Sequence, residues 1–93
     1  MNYKIFYNKR FKNDLKDILN YIRKDKKSSA GNFKKELKKK IEDITLFPYK
    51  HRKSIYFDNE NIRDLIYKGY IIPYVIEENK IFILGIIKYK NDF

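Results

Sequence analysis

Residues 80–92 read KIFILGIIKYKND: an uncharged run from Ile81 to Ile87 gives way abruptly to Lys88-Tyr89-Lys90. A strand leaving the core in this way either ends in solvent or delivers basic and phenolic groups to a working surface. Such groups stabilise developing negative charge. Neither type is a ready base at neutral pH, since tyrosine titrates near ~10 and lysine near ~10.4. Strand alternation places Lys88 and Lys90 on one face and Tyr89 on the other. The trio can line one pocket only if the strand ends or bulges near residue 88. His51 is the only histidine, and its side chain suits acid–base work. It lies in a polar loop after Pro48, between Lys50 and Arg52, where a surface role is expected.

Other chemistries find no footing. One histidine and no cysteine exclude disulfides and transition-metal sites with the usual ligands. Glu42-Asp43 and Glu77-Glu78 are adjacent pairs; the first diverges on a helix and the second falls in a turn, so neither makes a carboxylate dyad. The three glycines follow no phosphate-cradling pattern, and Ser28, Ser29 and Ser54 lack a base in any recognisable arrangement. No metal and no cofactor are expected.

The elements that must position these groups follow from apolar spacing. NYKIFY (2–7) alternates as a short strand. In residues 8–26, Phe11, Leu15, Ile18, Leu19 and Ile22 fall at helical spacing, with Asn8 able to cap the start. In residues 30–47, Ala30, Phe33, Leu37, Ile41 and Ile44 form a second apolar stripe, with Ser28 or Ser29 as the cap and Pro48 as the stop. So short a connection makes the two helices an antiparallel hairpin. The period then changes. KSIYFD (53–58), NIRDLIYK (61–68), GYIIPYVIE (69–77) and KIFILGIIKYK (80–90) read as strands, with turns at DNEN and ENK. Pro73 cannot donate to a ladder, so its strand is at an edge there or its amide position faces a gap. The last strand is apolar on successive residues and should be central. The order β-α-α-β-β-β describes an α+β fold, with the helical hairpin packed on a small antiparallel-rich sheet. A single domain spanning 1–93 is expected.

The chain has 93 residues and a net charge of +10. Residues 1–53 hold 17 Lys and Arg against 6 Asp and Glu, whereas residues 54–93 hold 5 against 6. The basic half favours an acidic partner. The run KKELKKK (34–40) is a solvated helix face or a contact surface for such a partner. Most aromatic residues are expected at core-facing positions. No apolar run approaches the ~20 residues of a membrane span, so a cytoplasmic protein with no membrane partner is expected.

In this order several segments resemble the RelE/ParE toxin superfamily. DLKDILNYI (14–22) resembles its first helix, and AGNFKKELKKKIEDITLFP (30–48) its second, closing on Phe-Pro. HRKS (51–54) is similar to the Gly-Arg loop that follows. IRDLIYKGYIIPYVI (62–76) is similar to its strand pair, and IFILGIIKYKND (81–92) to its last strand and polar tail. The resemblance implies the toxin of a type II toxin–antitoxin system, held inactive by a cognate antitoxin. RelE-type members cut mRNA on the ribosome, whereas ParE-type members inhibit DNA gyrase.

The ParE type is the closer. Ile71 follows Tyr70 where RelE-type members usually carry arginine, and no arginine follows Lys88. A ParE-type chain implies no catalytic residues; the target-binding candidates are Arg52, Arg63, Lys88, Tyr89 and Lys90, with Arg52 tying its loop to the sheet. The RelE-type alternative implies RNA cleavage through Arg63, Lys88, Tyr89 and Lys90. A third possibility is a non-toxic basic nucleic-acid-binding module. The Pro73 strand and the exposed side of the helix hairpin are the expected docking places for an antitoxin segment.

Overall fold

The computed structural model describes residues 2–89. In chain order they form β1 (Lys4–Tyr7), α1 (Lys9–Asp25), α2 (Lys27–Asp43), β2 (Ile62–Tyr67), β3 (Tyr70–Glu77), β4 (Lys80–Ile83) and β5 (Ile87–Lys88). The sheet runs β1-β4-β3-β2, with β5 pairing with β3 beyond the end of β4. β1 and β4 are parallel; the other pairs are antiparallel. Leu65, Ile72, Tyr74, Ile76, Ile81 and Ile83 point from the sheet toward Phe11, Leu19, Phe33, Leu37 and Ile41 of the helices.

Asn8 caps α1 as expected, accepting the Arg10 N–H at 2.6 Å. α2 starts three residues earlier than its sequence suggests. Lys26 alone turns the corner in extended backbone, closing α1 and opening α2 without a side-chain cap. Ser28 and Ser29 therefore lie inside the helix. A cap contributes only ~1 kcal/mol, and carrying the helix to the corner seats Ala30 and Phe33 in the core. α2 also ends early, at Asp43. The Thr45 and Leu46 N–H groups bond three residues back, to the Glu42 and Asp43 carbonyls. The chain thus unwinds before Phe47, whose helical conformation Pro48 disfavours.

The expected strand over residues 53–58 does not form. Only Lys53 bridges to Arg63. The Asp64 carboxylate instead accepts the Ile55 N–H, and the Ser54 hydroxyl accepts the Tyr56 N–H. Side chains thus satisfy backbone that a ladder would otherwise pair.

The last apolar run is central, as β4, but broken at residues 84–86. Leu84 donates to the Pro73 carbonyl at 2.9 Å, and proline has no N–H to return. The ladder stops there and resumes where Ile87 faces Ile71. Pro73 therefore lies in an interior strand with its amide toward the gap, so this strand offers no free edge for docking. The outer strands of the sheet are β1 and β2.

Candidate interaction surfaces

The connection from α2 to β2 is built like a bracket. Ile44 and Pro48 are buried on either side of Thr45-Leu46-Phe47. The buried Tyr74 hydroxyl donates to the Pro48 carbonyl at 2.6 Å, and burial holds its pKa well above the usual tyrosine range. Arg63 projects from β2 into the same connection. Its Nε donates to the Glu60 carbonyl at 2.9 Å, and its Nη1 donates to the Tyr49 and His51 carbonyls, each at 3.1 Å. The guanidinium also lies 4.9 Å from the centre of the Tyr49 ring, and the Tyr49 hydroxyl is fastened to the Asn61 carboxamide at 2.8 Å. Only 17% of the Arg63 side chain is exposed.

Arg52 meets the fully buried Asp64 carboxylate at 3.5 Å. The same carboxylate oxygen accepts the Ile55 N–H at 3.1 Å, while Oδ1 has no partner among the described residues. Both arginines thus hold loop to sheet. His51 stands edge-on to Tyr74, and burial, followed by the charges of Lys50 and Lys40, lowers its pKa.

Lys88 and Tyr89 lie at the other end of the sheet. Lys88 pairs with Tyr70, and Tyr70 with Tyr67 of β2. The Lys88 ammonium is 5.9 Å from the Tyr70 ring centre and shares a depression with Asp14, Asp17 and Tyr21 of α1. The Tyr89 N–H bonds to the Gly69 carbonyl at 2.8 Å, and the residue is 45% exposed. Lys90 lies outside the described residues. Arg63 is four strand residues from Tyr67, a separation of about 13 Å at a strand's rise. The structure therefore does not bring Arg63 together with Lys88 and Tyr89.

Two surfaces stand out, the first on the helix hairpin where a docking place was expected and the second unforeseen. The first is a groove at the seam of the helices beside β1. Tyr7, Phe11, Leu15, Leu37 and Ile41 line it, with Lys12, Lys34 and Lys38. A second depression continues it along α1 past Lys16 and Arg23. Neither lining contains an acidic residue. The alternation of apolar stripe and lysine run was visible, but not their convergence across two helices.

The second surface is apolar and protruding. Leu46 and Phe47 are each 68% exposed. Phe6, Tyr21, Tyr49, Tyr56, Phe57 and Tyr89 are also exposed by 42% or more. Residues 55–57 are turned outward because their backbone is bound to Asp64 and Ser54 instead of to a strand. Leu46 and Phe47 are turned outward because α2 has already unwound, so the helical stripe no longer applies.

Among the described residues, no group of three His, Cys, Asp or Glu side chains could hold a metal ion, and no helix is long and apolar enough to cross a membrane. The sequence profile of the family described as "ParE toxin of type II toxin-antitoxin system, parDE" matches residues 5–93. No curated protein sequence matches the chain. Among solved structures, the chain is similar to one titled "Chromosomal ParDE TA system from P. aeruginosa", with a TM-score of 0.76 and 13% identity. That likeness covers 95% of this chain and 97% of the other, and it shows the fold.

Proposed function

Because this chain belongs to the ParE toxin family of type II toxin–antitoxin systems, we propose that it arrests growth by binding a target protein rather than by cutting RNA. DNA gyrase is the target that its ParE-type resemblance implies. The engagement of Arg63 carries the non-enzymatic part of this reading. RNA cleavage by attack of the 2′-hydroxyl needs positive groups free to meet the phosphorane charge, close to an acid and a base. Arg63 already donates to three carbonyls and lies far along the sheet from Lys88 and Tyr89.

A cognate antitoxin would neutralise the toxin in the cytoplasm. The helix groove supports this part. Its apolar floor suits the buried stripe of an amphipathic segment, and the rim lysines Lys12, Lys34 and Lys38 suit flanking Asp and Glu. The test adds purified protein to a gyrase supercoiling reaction and, separately, to translating ribosomes carrying a defined mRNA. Inhibited supercoiling with intact mRNA is the expected result. Codon-linked mRNA cleavage would transfer the chain to the RelE-type mechanism, and inactivity in both would return it to a simple binding module.

A further inference from the structure

We propose that Leu46 and Phe47 form a preorganised knob that inserts into an apolar, acid-rimmed pocket on the folded protein target of this chain. The proposal rests on the reading of the chain as a toxin that acts by binding, and adds the contact by which it binds.

Two adjacent large apolar side chains, each 68% exposed, face water at a cost that folding did not relieve. They are not presented by a loose loop. Ile44 is wholly buried on one side, and Pro48 is buried on the other under the Tyr74 hydroxyl. The Thr45 hydroxyl donates to the Glu42 carbonyl at 2.8 Å, and Arg63 binds the backbone at Tyr49 and His51. Contacts that are already ordered lose little freedom on binding.

Shape selects the kind of partner. Leu46 and Phe47 line two separate shallow depressions, one shared with Tyr3 and Tyr49 and the other with Lys40 and His51. They form the ridge between these depressions. A ridge needs a concave partner, and a concave apolar pocket requires a folded protein. A disordered segment suits the helix groove instead.

Charge selects the rim. Lys40 and Lys50 flank the ridge against the single carboxylate of Asp43, so an acidic rim is complementary. Apolar wedges also enter DNA between base steps. Two lysines opposed by a carboxylate make a weak phosphate clamp, which favours the protein partner.

The test compares wild type with the double variant Leu46→Ala/Phe47→Ala and with Lys50→Glu. It measures the unfolding midpoint, growth arrest on induced expression, binding to immobilised purified gyrase, and binding to duplex DNA by gel shift. The expected result is an unchanged midpoint with growth arrest relieved and gyrase binding weakened by roughly 30-fold or more, the effect of losing a hot spot. Lys50→Glu should weaken binding in the same direction. A double variant that folds and arrests growth like wild type overturns the proposal. Duplex DNA bound by wild type and released by the double variant overturns the protein partner. If the double variant fails to fold, Lys50→Glu decides: undiminished growth arrest overturns the proposal. Relief of arrest without any gyrase binding by wild type keeps the knob and removes gyrase. A wild type that does not arrest growth removes the toxin reading itself and this proposal with it.

Discussion

Replacing Arg63 separates a structural arginine from a phosphate-binding one. Arg63→Ala removes three hydrogen bonds from a charged donor and a cation held over Tyr49. Bonds to charged groups contribute ~1.5–3 kcal/mol each when buried. The Glu60 and Tyr49 carbonyls belong to exposed residues, so water can replace the guanidinium there; His51 is only partly buried. Discounted for that exchange, the three bonds and the stacked ring amount to ~2–4 kcal/mol. At ~4–8 °C per kcal/mol for a domain of this size, the unfolding midpoint should fall by roughly 8–32 °C. Arg63→Lys keeps the charge but not the fork, and should recover less than half of that loss. Thermal unfolding by circular dichroism gives the midpoints. Amide exchange should show the loss concentrated at residues 45–53. If Arg63 instead served a phosphate, Arg63→Ala would keep its midpoint and lose activity, and Arg63→Lys would restore part of it. A midpoint within 2 °C of wild type would refute the clamp.

Tyr74→Phe leaves the buried Pro48 carbonyl without its donor and should cost ~1–3 kcal/mol by denaturant unfolding. Asp64→Ala strands the Ile55 N–H and frees Arg52. Because Arg52 is partly in solvent, the cost should be ~1–3 kcal/mol, with proteolysis beginning in residues 52–58. His51 has its folded pKa lowered by burial and by Lys50 and Lys40, so the unfolded chain binds the proton more tightly. The stability this group contributes is full above the unfolded value near ~6.5 and is lost as pH falls from there through the lower folded pKa. Unfolding midpoints between pH 7.5 and 5 should fall more steeply for wild type than for His51→Gln. Reversing the groove rim with Lys12→Glu/Lys34→Glu/Lys38→Glu should abolish capture of an acidic amphipathic peptide in a fluorescence anisotropy titration while leaving the fold intact.

Periodicity carried most of the architecture. The stripes of both helices, the cap at Asn8 and the centrality of the Ile81–Ile83 segment all depend on local spacing, and burial follows that spacing directly. The departures come from long-range pairing. Nothing near Lys53-Ser54-Ile55 announces that Asp64 will take the Ile55 N–H, so an apparently good strand becomes a strap. Pro73 announced a fault in a ladder, but only its neighbour across the sheet decides whether that fault is an edge or a gap. The same limit applies to the candidate residues. Arg52 was legible as a loop tie only through the family resemblance, since its partner Asp64 has Arg63 beside it in the sequence and nothing local singles out Arg52. Arg63 was not legible as a clamp, because its acceptors are backbone carbonyls up to 14 residues away, and carbonyls leave no mark on a sequence.

The two surfaces meet on α2. Ile41 lines the groove, and Ile44, less than one helical turn later, is the buried foot of the ridge that carries Leu46 and Phe47. A segment seated in the groove would touch Ile41, within one helical turn of the foot of the knob. Ile44 has no exposed surface, so it cannot move without displacing its neighbours; packed interiors transmit shifts instead of absorbing them. If seating a segment there tilts that turn, an acidic segment would oppose the target contact without covering it. The two sites would then compete through α2 even if both partners could fit at once. Linkage makes that competition reciprocal: a partner gripping the knob would weaken the groove's hold on its segment by the same factor by which the segment weakens the knob.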